Sequence, residues 1–189
     1  YTISGSVIQL TGSANAVLYQ NAFQAITFQN TSELPTAGDR TINLSFSNGT
    51  FSSNIATSTI TVIAVNDTPT ISAPASYSGT EDTALTLNGL TMADVDAGTS
   101  SVQLTISVPA GVGVLNFAAT PFITVLNNGM GTVTLQGQRA AIVNAVNSGA
   151  LTLAPAANYN GTSAVTFVFN DRGNAGRDPG LTADATSEE

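Results

Sequence analysis

Apolar and polar residues alternate along most of this chain, and the alternation predicts strands. Val7-Ile8-Gln9-Leu10 reads as a strand that ends at Thr11-Gly12. Ser13 stands where a helix N-cap would, and a short helix is predicted over 14–24 with Val17, Leu18 and Phe23 toward the core. A strand is predicted at 25–28, followed by a polar loop from Asn30 to Gly38. From Arg40 to Phe46 the period is two, which places Ile42, Leu44 and Phe46 inward and Thr41, Asn43 and Ser45 outward. Asn48-Gly49 is the strongest hairpin signal in the chain. It leads to a long β-branched strand over 58–65, which Asn66-Asp67-Thr68-Pro69 stops.

Pro69 and Pro74 mark a stiff linker, with 70–77 extended. Further strands are predicted at 84–87, 101–108, 112–117, 122–126, 132–135, 150–153 and 164–169, with a turn at Asn88-Gly89. A second helix is predicted over 138–146. Gly111-Val112-Gly113 lies among alternating apolar residues with no helix after it, so it reads as a hairpin or bulge and not as a dinucleotide loop. Asn170-Asp171-Arg172-Gly173 begins a polar tail, in which Asp178, Asp184, Glu188 and Glu189 read as solvated.

The second half echoes the first. Leu10, Gly12 and Thr27 match Leu135, Gly137 and Thr152, each 125 residues on, and Gly38 and Phe46 match Gly161 and Phe169 at 123. Each half runs strand, Gly, short helix, strand, loop, alternating strand and Asn/Asp-rich turn. Such a period implies an internal repeat, with about one and a half units in the chain. The expected fold class is all-β: antiparallel β-sandwiches in series, each with one short helix, divided at the Asn-Asp-Thr-Pro linker. The abrupt start at Tyr1 and stop at Glu189 are what a piece of a longer protein would show.

Composition narrows the chemistry. Charged residues are 8% of the chain, against a usual value of about 25%, so Ser, Thr, Asn and Gln must supply the polar surface. The net charge of -8, with no Lys and only Arg40, Arg139, Arg172 and Arg177 as cations, argues against nucleic acid and anionic membrane as partners. No apolar run reaches the 18 or so residues that a spanning helix needs, so membrane insertion is not expected. Without His or Cys the chain lacks the usual general base, the thiol nucleophile and the ligands of most zinc sites. Without Lys there is no Schiff-base chemistry. No enzyme activity is expected, since the acids cluster in turns and do not face each other across a cleft.

Of 12 acidic residues, four fall between Glu81 and Gly98: Glu81, Asp82, Asp94 and Asp96. Asp and Asn are common in turns for local reasons. Yet an Asp-x-Asp pair in extended backbone puts both carboxylates on one side, with Val95 turned to the core. Calcium takes six to eight oxygens from carboxylates, carbonyls and water. Asn66 could add a neutral oxygen. Neighbouring acids with no cation between them repel.

Val65-Asn66-Asp67-Thr68-Pro69 resembles the junction between successive bacterial cadherin-like domains in large repetitive surface proteins. Glu81-Asp82-Thr83 and Asp94-Val95-Asp96-Ala97-Gly98 resemble the two acidic motifs that follow that junction, and Asn170-Asp171 with Gly173-Asn174-Ala175-Gly176 resembles the late Asp-Gly-Asn turn. The resemblance covers the whole chain: residues 1–66 as the C-terminal half of a first repeat, and 67–189 as a second repeat lacking its last strand. It implies tandem immunoglobulin/cadherin-like sandwiches, an extracellular location on a cell surface or secreted, and calcium (Ca2+) near the junctions. The expected role is in adhesion, biofilm or an extended stalk. The ligands it implies are Asn66, Asp67, Glu81, Asp82, Asp94, Asp96 and Asp171. The expected partners are calcium and neighbouring repeats of the same chain or like subunits. The first repeat departs from the pattern, with Ser47-Asn48-Gly49 where the second has Asn170-Asp171. The helix is more typical of bacterial units than of animal cadherins, so animal-type cell pairing is not implied. Two alternatives stand beside this reading. One is a self-assembling fibre subunit completed by strand exchange. The other is a carbohydrate-binding module using Tyr19, Tyr77 or Tyr159, although edge packing is the simpler role for each ring.

Overall fold

The computed structural model describes residues 1–173 and the backbone of one further strand, Asp184–Glu188. Contacts divide it into two compact units, Tyr1–Ser32 and Glu33–Glu189. The expected border between Asn66 and Asp67 lies inside the second unit.

In the first unit β1 (Thr2–Ser4) and β2 (Val7–Gln9) pair antiparallel, with Thr2 opposite Gln9. The helix α1 (Ala16–Gln24) starts later than predicted, because Asn15 and not Ser13 caps it: the Leu18 N–H donates to Asn15 Oδ1 at 3.0 Å. The Tyr19 hydroxyl donates to the Gly12 carbonyl at 2.7 Å and ties the helix to its approach loop. Val17, Leu18 and Phe23 do not face a core; they are 62%, 57% and 41% exposed. An apolar stripe is buried only where another element covers it, and no residue of α1 is buried. The strand predicted at 25–28 is absent too. The Ala25 N–H still bonds back to Ala22 and the Ile26 N–H to Phe23, and among the described residues no strand pairs with the residues that follow.

The second unit opens with a hairpin of β3 (Gly38–Leu44) and β4 (Ala56–Val62), paired antiparallel from Gly38↔Val62 to Leu44↔Ala56. Its polar face is cross-linked by Thr61 Oγ1 to Asp39 Oδ1 at 2.7 Å and Thr57 Oγ1 to Asn43 Oδ1 at 3.1 Å. The other face carries Ile42 and Leu44, predicted inward but 40% and 41% exposed, and Phe46 beyond the strand is 55% exposed. The alternation is as read; no second layer of the described residues covers it. The Asn48-Gly49 turn is present, held by Asn48 Oδ1 accepting from the Thr50 and Phe51 N–H groups.

The remaining strands are β5 (Thr70–Ser72), β6 (Leu85–Thr86), β7 (Thr91–Ala93), β8 (Ser101–Ser107), β9 (Gly113–Phe117), β10 (Ile123–Leu126), β11 (Thr132–Gln138), β12 (Leu151–Pro155), β13 (Thr166–Asn170) and β14 (Asp184–Glu188). The helix α2 (Arg139–Ala145) lies between β11 and β12 and runs into a π turn, Val146–Ala150, where Gly149 takes φ 92°. Every strand pairing among the described residues is antiparallel. One sheet has the order β10-β11-β8-β13-β14, a second β6-β12-β9, and β5 pairs with β7 alone. Residues 184–188, read from sequence as solvated tail, thus form an edge strand on β13. Asp178 and Glu189 lie outside the described residues.

Both larger sheets feed one core. Val102, Leu104 and Ile106 of β8 are fully buried while Gln103 and Thr105 between them are half-buried, which is a strand's period of two. They join Val133 and Leu135 of β11, Phe167 and Phe169 of β13, Leu115 and Phe117 of β9, and Leu151 and Leu153 of β12. Each buried Leu, Ile, Val or Phe contributes about 1.5–3 kcal/mol of transfer free energy. The helix α2 adds Ile142 and Ala145 to the same core. Tyr77 and Tyr159 pack at its edge, each hydroxyl turned to a backbone carbonyl, of Asn88 and Thr162.

Gly113 begins β9, where it stands opposite Pro155 of β12. A Cβ there would lie 2.2 Å from the Ala154 carbonyl oxygen, in a backbone with φ +156°. Gly113→Ala should therefore force β9 away from β12 and cost about 2 kcal/mol or more in urea denaturation. An unchanged midpoint would show that the two strands are not held this closely.

Candidate cation site

Two alternations carry polar residues into buried positions. After Phe167 and Phe169 of β13, the next residue on the same face is Asp171, only 4% exposed. After β4, Ala64 is buried and Asn66, two residues on, is 4% exposed. Asn66 Nδ2 donates to Asp171 Oδ2 at 2.8 Å, joining residues 105 positions apart. The other Asp171 oxygen accepts from the Gly173 N–H at 3.0 Å.

The β5–β7 pair brings in the second acidic loop. Carrying the Thr70↔Ala93 register three residues past the ladder sets Asp67 opposite Asp96. There the Asp67 N–H donates to Asp96 Oδ2 in a short hydrogen bond. Asp94 shapes its own loop: its Oδ1 accepts from the Asp96 N–H at 2.8 Å and the Ala97 N–H at 3.0 Å. This Asx turn bends the chain, and Gly98 completes the loop at φ 48°. The strand rule for Asp-x-Asp therefore does not hold here. Val95, expected in the core, is 52% exposed, and Ala97 takes the inward place at 1%.

Hydrogen bonds thus connect Asn66, Asp67, Asp94, Asp96 and Asp171. They do not reach Glu81 and Asp82, which sit exposed on the turn before β6. Asp82, in left-handed backbone at φ 59°, accepts from the Asn158 N–H at 3.1 Å and so ties that turn to the loop after β12. Glu81 lines a cleft of about 750 Å³ whose walls include Tyr77 and Tyr159. Of the late turn, Asn174 to Gly176 lie outside the described residues.

The chemistry of the cluster is set by what is left over. Asn66 Oδ1, Asp94 Oδ2 and Asp96 Oδ1 are buried and have no hydrogen-bond partner among the described residues. All three are acceptors. A buried acceptor without a donor costs about 1–3 kcal/mol, more when charged. A cation satisfies such atoms, and hard oxygens of mixed amide and carboxylate type suit calcium. Among the described residues no three acids converge on one point, so a bound ion would need Asn66, backbone carbonyls or water to complete its shell. In donor type the residues fit calcium; as placed here they do not form a closed coordination sphere.

No family model matches the chain, and comparison with curated proteins and with solved structures gave no match. Among the described residues no helix is long and apolar enough to cross a membrane.

Sequence reading found these acids but not the contact between Asn66 and Asp171, because nothing local signals a partner 105 residues away. Asn66→Ala should remove that hydrogen bond and lower stability by about 1–3 kcal/mol in chemical denaturation without added metal. A loss below a few tenths would mean that the Asp171 carboxylate does not depend on Asn66.

Proposed function

We propose that this chain is a calcium-rigidified structural repeat of a bacterial extracellular adhesin or stalk, and that it supports cell adhesion or biofilm. The observation that carries the reading is the set of three buried, donorless oxygens on Asn66, Asp94 and Asp96, at the place where three chain segments meet. The segments are the junction after β4, the loop after β7 and the turn after β13. Calcium bound there would lock the junction to the sheets that follow it. Removing it would leave close carboxylates uncompensated and the junction loose. The role is mechanical, and the partners are calcium and neighbouring repeats or like subunits.

Two features support the repeat architecture. The five-stranded and three-stranded sheets share one core, which is how the two layers of a sandwich are built. The β3–β4 and β13–β14 pairs are both antiparallel, and each comes after a short helix, α1 and α2 respectively. A second reading, a fibre subunit completed by strand exchange, is favoured by one observation. Among the described residues β3 pairs only with β4, and Ile42 and Leu44 stay exposed on that hairpin. Concentration-dependent polymers in ultracentrifugation would select it.

Calcium should raise the melting temperature and EDTA should reverse the rise. At a hundredfold excess over Kd the gain is about 2.7 kcal/mol. Asp96→Ala should abolish the calcium dependence while leaving an all-β circular dichroism spectrum. Identical melting curves in calcium and in EDTA contradict the proposal.

A further inference from the structure

The loop that carries Asp94 and Asp96 hangs from β7, a strand of three residues that among the described residues pairs with β5 alone. Leu90, just before β7, is fully buried and Met92 within it is 4% exposed. Unpaired backbone groups there would be costly. Two side chains take the place of a neighbouring strand. Asn147 Oδ1 accepts from the Leu90 N–H and Asn147 Nδ2 donates to the Leu90 carbonyl, both at 2.9 Å. Arg139 Nη1 donates to the Met92 carbonyl at 2.8 Å. Leu90 and Met92 are alternate residues, and in extended backbone alternate residues present their backbone groups to the same edge.

The positions of both residues are otherwise hard to explain. Arg139 is the first residue of α2, where a cation opposes the helix dipole, and no acid stands in that first turn. Its Nε is buried without a partner. Asn147 lies in the π turn, a rare irregularity that tends to mark functional places. The π turn and the start of α2 bring the two side chains to the same three-residue stretch of backbone, Leu90 to Met92, which ends two residues before Asp94.

We infer that Arg139 and Asn147 are positioning residues of the cation site, an inference that rests on the calcium reading above. They fix β7 from the side opposite β5 and so set where the Asp94 turn presents its carboxylates. They also make α2 the element through which ion binding is felt by the core, since Ile142 and Ala145 of α2 are buried there. Neither residue touches the ion. Their action is that of an outer shell, whose loss typically lowers metal affinity about 10–100-fold.

The test uses the full chain and its Asn147→Ala, Arg139→Met and Arg139→Lys variants. Calcium affinity is measured by titration calorimetry well below each variant's own melting temperature. Asn147→Ala and Arg139→Met should each weaken binding about tenfold or more. Arg139→Lys, which keeps a donor for the Met92 carbonyl, should recover part of the loss. If the parent chain binds calcium and both disruptive variants bind it equally well, the positioning role is overturned and the ion site stands. If the parent chain binds no calcium, the calcium reading fails. Hydrogen exchange in the ion-free chain then decides the positioning role by itself. Faster exchange of the Asp96 and Ala97 amides in Asn147→Ala would show that the side chain holds the Asx turn; unchanged exchange would show that it does not.

Discussion

The described second unit depends on how it tolerates a polar centre buried among its sheets. Asn66, Asp96 and Asp171 are each at most 5% exposed, and hydrogen bonds thread them together through the Asp67 backbone. Buried carboxylates are costly unless every oxygen finds a partner. Here the partners are incomplete: backbone N–H groups and one amide satisfy part of the set, and three acceptors are left over. The protein has no lysine and four arginines in all, so it has few cations of its own to place beside these acids. That shortfall is the physical reason for reading the cluster as a cation site.

The rest of the unit explains how the cluster is held. Strand alternation delivers Asn66 and Asp171 to the inside, each two residues beyond a buried apolar side chain. The β5–β7 register delivers Asp67 to Asp96. Side chains of α2 and the π turn pin β7 from its other edge. Each device is ordinary, but together they link residues from distant places in the chain through hydrogen bonds.

Much of this was legible from sequence, and the failures are informative. Strands such as β8 and β11 follow the period of two because one face of each is buried in the core and the other is not. The same rule placed Ile42 and Leu44 inward, and the helix reading placed Val17 and Phe23 inward; all four are exposed, since periodicity names a face but not what covers it. The Asp-x-Asp rule failed for Val95 because Asp94 bonds its own backbone and breaks the strand. The strand at 184–188 was hidden by its composition: a polar, acid-ended segment reads as tail until β13 supplies a partner. Asn147 and Arg139 carried one weak signal, an arginine at a helix start where the dipole disfavours it. Seven acids and amides were singled out as ligands, and hydrogen bonds gather five of them. Glu81 and Asp82 lie on a separate exposed turn, which spacing along the chain could not distinguish.

The central claim is that the donorless oxygens of Asn66, Asp94 and Asp96 take a calcium ion. A structure determined from crystals grown in calcium, with the ion identified by its anomalous scattering, tests this most directly. The account predicts one calcium within about 2.3–2.6 Å of Asn66 Oδ1, Asp94 Oδ2 and Asp96 Oδ1, with carbonyls or water completing the shell. A calcium-replete crystal whose only ion sits at Glu81 and Asp82, or which holds none, would contradict it.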